Sequence, residues 1–349
     1  MLKKIETVLI GTSLTEASEE VVRAGLKVAR AAQARVALVH AYSPHMAYGG
    51  APFVPELAMD EVIEAERQSL RRQMESQALR LGIKPEELAD LQLGPAPAHQ
   101  MIIETARRIN AGLIVVGAAE SPRLAKLFGS TADRVVRKAT CPVLVVRREL
   151  PMPPARVLLP VDLSFLSAEA FHEGLEVLGL LARERPSSLS PGTGERAGER
   201  GNGINLPEIE AMYVVTDLDR HLFASEFASE FASELDPEEA PERAEMHARE
   251  ELDRFLGRHA AGSPFVVTPR VVSGYVEDEI LLRIREWEPN LVVIGTHGRS
   301  GFERFLVGSV AARVTRDGGA NVLVVPPAAA REQSEAVREA IHPEEVLVG

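Results

Sequence analysis

The sequence predicts an α/β fold: two doubly wound, five-stranded parallel sheets of strand order 3-2-1-4-5, each with flanking helices, paired through their fifth strands. Three observations carry this expectation. Short apolar runs rich in Val, Ile and Leu alternate with longer stretches of helical periodicity along the chain. The runs are mostly continuous rather than alternating apolar and polar, as in parallel strands covered on both faces. Finally, blocks of the first half recur in the same order in the second, at a spacing of about 150–180 residues. Thr7-Val8-Leu9-Ile10-Gly11-Thr12-Ser13 resembles Arg156-Val157-Leu158-Leu159-Pro160-Val161-Asp162. Gly112-Leu113-Ile114-Val115-Val116-Gly117 resembles Asn290-Leu291-Val292-Val293-Ile294-Gly295, and Cys141-Pro142-Val143-Leu144-Val145-Val146 resembles Ala320-Asn321-Val322-Leu323-Val324-Val325. That period is too long for a solenoid repeat and marks a duplicated domain.

In the first half, strands are expected at 7–12, 35–42, 90–94, 112–117 and 142–147, with helices near 16–33, 57–82, 98–110 and 129–138. In the second, strands are expected at 156–161, 209–215, 267–273, 290–295 and 321–325. The resulting domains are 1–150 and 151–330, followed by a tail at 331–349. Residues 183–207, rich in Pro, Gly and Ser and poor in large apolar side chains, read as a mobile loop that cannot offset the entropy of ordering. Their Gly192-Thr193-Gly194 has neither a preceding strand nor a Gly-x-x-Gly completion, so it is not a nucleotide loop. A second insertion repeats Phe-Ala-Ser-Glu three times, setting Phe223, Phe227 and Phe231 along one helical stripe. That stripe either packs on its own domain or faces a partner. The runs 142–147 and 321–325 would each be an aggregation-prone sheet edge, so antiparallel pairing into an intramolecular pseudo-dimer is expected.

Composition narrows function. The 349 residues suit two domains at roughly 100–200 residues each. With 39 basic against 51 acidic residues, the formal charge of −12 argues against a nucleic-acid partner, which would need a basic face. A small anionic ligand stays open, because backbone amides bind phosphate without net positive charge. The single cysteine, Cys141, excludes an intramolecular disulfide, a CxxC pair and a Cys-rich zinc site, and reads as buried. No apolar run approaches the ~18–20 residues that span a bilayer. The start, Met1 to Glu6, lacks the apolar core of a signal peptide, so a cytoplasmic protein without a membrane partner is expected.

The strongest local motif is Gly295-Thr296-His297-Gly298-Arg299-Ser300-Gly301, followed by Gly308-Ser309-Val310-Ala311. It begins at the carboxyl end of a strand and leads into a helical pattern. Glycines permit close backbone approach, and amides at a helix start favour phosphate. Ser300 and Ser309 add hydroxyl donors, and Arg299 adds charge; a bare tight turn is the competing reading. Asp162 ends the first strand of the same domain, while Gly295 ends the fourth. In a 3-2-1-4-5 sheet those strands are neighbours at the switch point, where open α/β sheets bind ligands. Asp162 therefore either contacts a ligand or serves the turn before the next helix.

This combination resembles the universal stress protein family in tandem form. Its nucleotide-binding members carry Gly-x-x-Gly, nine residues, then Gly-Ser or Gly-Thr, a spacing matched by Gly295, Gly298, Gly308 and Ser309. Pro160-Val161-Asp162 matches the family's first-strand segment. The resemblance spans about 1–148 and 155–327 and implies ATP as the ligand of the second domain. Asp162 and Val214 would meet the adenine, and Pro160, Ile294 and Gly295 would line the ribose. Gly298, Arg299, Gly308, Ser309 and Val310 would surround the phosphates, with Mg²⁺ the default bridging ion though no carboxylate cage is visible for it. The first domain departs from the pattern. Ser13 stands where Asp is expected, and Glu120 occupies the second Gly position before Gly129-Ser130. A carboxylate aimed at phosphates repels them, so this domain reads as a structural partner.

Other polar residues read plainly. His99 is expected to be exposed at a helix start, and Trp287 to pack in the core; no catalytic or metal-ligating constellation and no GxxxxGK[ST], HExxH or GxSxG motif is present. Three functions compete. The first is an ATP-binding regulator in the stress response that signals to an unnamed protein partner, with a homodimer of whole chains as a further assembly. The second is slow ATP hydrolysis or autophosphorylation on Ser300 or Ser309. The third is an interaction protein without nucleotide.

Overall fold

A strand followed by a helix returns to pair in parallel beside its predecessor, so strand order records where the chain reverses direction across the sheet. The computed structural model describes residues 5–42, 56–118, 131–182, 206–220, 240–296 and 308–328. In it β1 (Thr7–Gly11), β2 (Arg35–Ala41), β3 (Leu88–Gly94), β4 (Leu113–Gly117) and β5 (Val143–Val146) lie in the order 3-2-1-4-5. The second half repeats that order with β6 (Arg156–Pro160), β7 (Glu208–Val215), β8 (Val267–Ser273), β9 (Leu291–Gly295) and β10 (Asn321–Val325). Pairing within each half is parallel. β5 and β10 pair antiparallel, Val322 opposite Val145, Leu323 opposite Leu144 and Val324 opposite Val143. The two five-stranded sheets are thereby continuous as one ten-stranded sheet.

The helices are α1 (Glu16–Ala32), α2 (Glu56–Arg80), α3 (Ala98–Arg108) and α4 (Thr131–Lys138), then α5 (Phe165–Leu181), α6 (Ala240–His259), α7 (Val276–Trp287) and α8 (Ser309–Asp317). Alternate residues of each strand feed opposite faces. Val8, Ile10, Val157 and Leu159 join a core covered by α1, α2, α5 and α6. Leu9 and Leu158 join the other, covered by α3, α4, α7 and α8. This is why the strands read as continuous apolar runs. Two helices ride unusually close: a Cβ at Gly25 would lie 2.5 Å from Ile10 Cδ1, and one at Gly174 would lie 2.6 Å from Val293 Cγ1. Residues 183–205 of the first insertion, the Phe223–Phe231 stripe and the tail 331–349 lie outside the described residues.

The end of the β5–β10 ladder has its own chemistry. Asn321 is fully buried. Its Oδ1 accepts from the amides of Arg147 (2.8 Å) and Arg148 (3.2 Å), while its Nδ2 donates to the Asn290 carbonyl (3.1 Å). In the repeat, Asn321 corresponds to Pro142, and Arg147-Arg148 correspond to Pro326-Pro327. The other end of the ladder therefore offers no amide at the two prolines and requires no such acceptor. The Arg147 guanidinium also donates to the carbonyls of Thr315 and Arg316 near the end of α8, and that of Arg148 donates to the Pro289 carbonyl at 2.7 Å. Asn321→Ala should lower the unfolding free energy by about 1–3 kcal/mol, because two part-buried N–H groups lose their acceptor. Urea denaturation measures this, and a change under ~0.5 kcal/mol, as at an indifferent surface site, would show that the joint does not depend on the side chain.

Candidate functional site

β6 and β9 pair only at Val157–Leu291 and Leu158–Val292, whereas β6 and β7 pair along five residues. Beyond Leu158 the two strands part, at the switch point of the second half. A crevice of about 360 Å³ opens there, near the lower end of the ~300–1,000 Å³ common for small-molecule sites. Met212, Val214, Ile280 and Ile294 give it apolar walls. Pro160, Val161 and Asp162 enter from β6 and the turn after it, and Gly295 and Thr296 from the end of β9. Gly308, Ser309, Val310 and Ala311 close the far side. The expected residues Pro160, Val161, Asp162, Val214, Ile294, Gly295, Gly308, Ser309 and Val310 thus line one crevice. Gly298, Arg299 and Ser300 lie outside the described residues, as does His297.

Local bonds explain how each group is held. Leu163 adopts a positive φ of 64°, so the chain turns sharply out of β6. Asp162 Oδ1 accepts from the Ser164 amide at 3.0 Å, and Ser164 Oγ accepts from the Ser167 amide at 3.1 Å to cap α5. Asp162 therefore both serves the turn and lines the crevice. Across from it, the Thr296 carbonyl accepts from the Gly308 amide at 2.7 Å, and a Cβ at Gly308 would stand 3.3 Å from that oxygen. The chain thus returns to Thr296 where it enters α8. The first intrahelical bond runs from Ala312 N to Gly308 O, so the amides of Ser309, Val310 and Ala311 have no acceptor within the helix. These three residues line the crevice at the end of α8 that favours negative charge.

Sequence reading missed other lining groups. Thr216 and Asp219 form a reciprocal cap after β7: the Thr216 amide and hydroxyl donate to Asp219 Oδ2 at 2.9 and 2.8 Å, and the Asp219 amide donates back at 3.3 Å. The Thr-x-x-Asp spacing directly after Val215 is the signal that could have found it. Beside the lining, Glu277 at the start of α7 accepts a hydrogen bond at 2.8 Å from Oγ of Ser309, which does line the crevice; nothing local in the sequence marks that contact. The first half makes the same turn, with Leu14 at φ 61°, but different chemistry. Ser13 Oγ lies 2.8 Å from Thr15 Oγ1. Thr12 Oγ1 donates to buried Gln77 Oε1 at 2.8 Å and sits 3.0 Å from Ser18 Oγ. Glu120, Gly129 and Ser130 are outside the described residues.

Fold and site together define an α/β protein of duplicated switch-point architecture with a crevice at the switch point of its second half. The chain belongs to the universal stress protein family, whose model matches residues 4–147 and 216–326. It is 34% identical over 144 residues to a universal stress protein of Thermus aquaticus, covering 41% of this chain and 98% of that one. It is 26% identical over 323 residues to universal stress protein Rv2623 of Mycobacterium tuberculosis, covering 88% and 92% of the two chains. A universal stress protein crystal structure from Archaeoglobus fulgidus shares the fold over 93% of this chain and 97% of its own, with a TM-score of 0.57 and 16% identity. Among the described residues no helix is long and apolar enough to cross a membrane.

Two residues need correction or refinement. His99, expected to be exposed, is 9% exposed. It lies on the same stripe of α3 as Ile102, Ile103 and Ala106, so the helical spacing itself buries it. Trp287 packs against the core but only partly, with the Arg283 guanidinium 4.9 Å over its ring. Arg283 in turn makes a two-pronged bond, 2.8 and 2.6 Å, to Glu210, a buried carboxylate in β7. Cys141 is buried, as expected. Burial holds the His99 pKa below the usual histidine range, with Arg134 and Lys138 adding to the effect. The unfolded chain, with a histidine pKa near 6.5, therefore takes this proton more readily than the folded one. Stability from this group should be complete above about pH 6.5 and be lost as pH falls through the lower folded value. His99→Gln should flatten that loss between pH 7.5 and 5, leaving the part due to His259, whose pKa burial also lowers. Equal slopes in urea titrations of both proteins would show that His99 protonates as easily folded as unfolded.

Proposed function

We propose that this crevice binds ATP and that the chain is a nucleotide-dependent regulator in the cytoplasmic stress response. Two universal-stress-protein-like domains, 1–150 and 151–330, divide the work, the second holding nucleotide and the first serving as its structural partner. One observation carries the reading: Asp162, the end of β9 and the first turn of α8, whose amides have no acceptor within the helix, line the same cleft. Asp162 and Val214 take the adenine; Pro160, Val161, Ile294 and Gly295 take the ribose side. Gly298, Arg299, Ser300, Gly308, Ser309 and Val310 take the phosphates, and Mg²⁺ when bound neutralises part of their charge. Apolar walls suit a base, and helix-start amides suit phosphate. Output then requires a protein partner that distinguishes the loaded from the empty state.

A second reading, slow phosphoryl transfer, has its own motive in the Ser309 hydroxyl bonded to the Glu277 carboxylate. Single-turnover assays with γ-labelled ATP separate the two. Chemistry at the ~1–10³ s⁻¹ of typical enzymes, lost in Ser309→Ala, would replace regulator with enzyme.

Calorimetry on the full chain should find one ATP per chain, and two comparable sites would overturn the asymmetry between Asp162 and Ser13. Asp162→Asn keeps an oxygen for the Ser164 amide but removes the charge. It should weaken ATP binding roughly 10-fold or more, the scale of a lost charge-assisted hydrogen bond. An unchanged dissociation constant would confine Asp162 to the turn.

A further inference from the structure

The head of α8 already holds an anion. Ser309 Oγ donates to Glu277 Oε1 at 2.8 Å, and four residues on, Arg313 Nη2 donates to Asp278 Oδ1 at 2.8 Å. Two consecutive carboxylates at the start of α7 thus tie down both the hydroxyl and the cation that α8 presents. Glu279, the third acidic residue of that turn, lies instead against Gly274. A carboxylate and a phosphate are both acceptors, and a serine hydroxyl has one proton to give. A phosphate bonded by the Ser309 hydroxyl must therefore displace Glu277 as its acceptor, leaving two negative groups side by side at the start of α8. The helix end carries only about half a unit of positive charge, and with Arg299 added the total is still short of the charge of a bare triphosphate and a carboxylate together.

We infer that Glu277 is a specificity-determining residue that makes the crevice select nucleotide phosphates carrying a divalent cation over the same phosphates bare. The inference rests on the nucleotide reading of the crevice and adds to it a preference set by this chain's own side chain. A divalent ion on the phosphates turns the opposed charges into an attraction, and a carboxylate is a suitable oxygen ligand for such an ion, directly or through water. Without the ion, the carboxylate competes with the ligand for Ser309. A ligand without phosphates does not meet Glu277 and is indifferent to it.

The test is calorimetry on the full-length chain and on Glu277→Gln, with ATP and with adenosine, each in EDTA and in excess Mg²⁺. In EDTA, Glu277→Gln should bind ATP roughly 10-fold more tightly than the natural chain, the scale of one relieved charge contact. Mg²⁺ should tighten binding to the natural chain by a similar factor and change the variant little. Adenosine should bind both alike. Glu277→Asp, which keeps the charge but draws it back by one methylene, should fall between them and guards against an effect of lost helix contact alone. The same Mg²⁺ dependence in natural chain and Glu277→Gln overturns the inference while leaving the nucleotide site standing. Weaker ATP binding by Glu277→Gln in EDTA also overturns it, and would mean that the bond merely holds α7 to α8. Failure of the natural chain to bind ATP in either buffer ends the nucleotide reading, and this inference with it.

Discussion

The antiparallel pairing of β5 with β10 is the contact on which the rest of the architecture depends. Each half alone would leave a row of open backbone donors and acceptors along a strand of buried Val and Leu. Joining them lets both strands be covered on two faces and paired on two sides. A joint between identical copies would be symmetric, but here the two ends of the ladder differ. One is closed by the side chain of Asn321, and the other carries Pro142, Pro326 and Pro327. Duplication within one chain permits that division, because each copy can specialise for its own end. The helices follow: α1 and α5, one from each half, adjoin on the same face of the sheet.

The same freedom shows at the two switch points. Both halves leave their first strand through a leucine with positive φ, Leu14 and Leu163, so the backbone geometry is shared. The side chains are not. The first half gathers neutral hydroxyls and the Gln77 amide into a closed buried network, whereas the second sets a carboxylate, Asp162, at the edge of an open crevice. Topology sets the same turn at the carboxyl end of both first strands; residue choice decides which groups stand there.

Charge inside this molecule is managed in pairs. Glu210 lies between buried Ile209 and Ala211 in β7, yet it is buried because Arg283 grips it with two hydrogen bonds and Arg270 lies 3.8 Å away. Removing one partner of such a pair leaves the other charged and buried, which costs far more than an exposed ion pair. At the surface, Glu87 is bound by both Nε and Nη2 of Arg30, which helps hold its carboxyl down to about 2. The polar contacts of the crevice follow the same habit: Asp219 is held by Thr216, and Ser309 by Glu277.

The sequence by itself determined the element order, the duplication and the antiparallel joint, because continuous Val, Ile and Leu runs leave little choice of structure when both faces must be buried. It also marked most of the crevice, since strand ends at a switch point converge whatever the loops between them do. It was weaker where apolar pattern is diluted: β3 starts at Leu88 rather than residue 90 because this edge strand is only half-buried and Leu88-Ala89-Asp90 lacks β-branched residues. His99 was legible from its spacing to Ile102 and Ile103 but obscured by its residue type. What only the tertiary structure decided is which distant side chains meet: Arg283 with Glu210 across 73 residues, Arg147 and Arg148 with Asn321 across 174 and 173, and Glu277 with Ser309 across 32. Periodicity reports which face a residue occupies relative to its own element. The partner across that face is set by how the elements pack, and no local pattern encodes it.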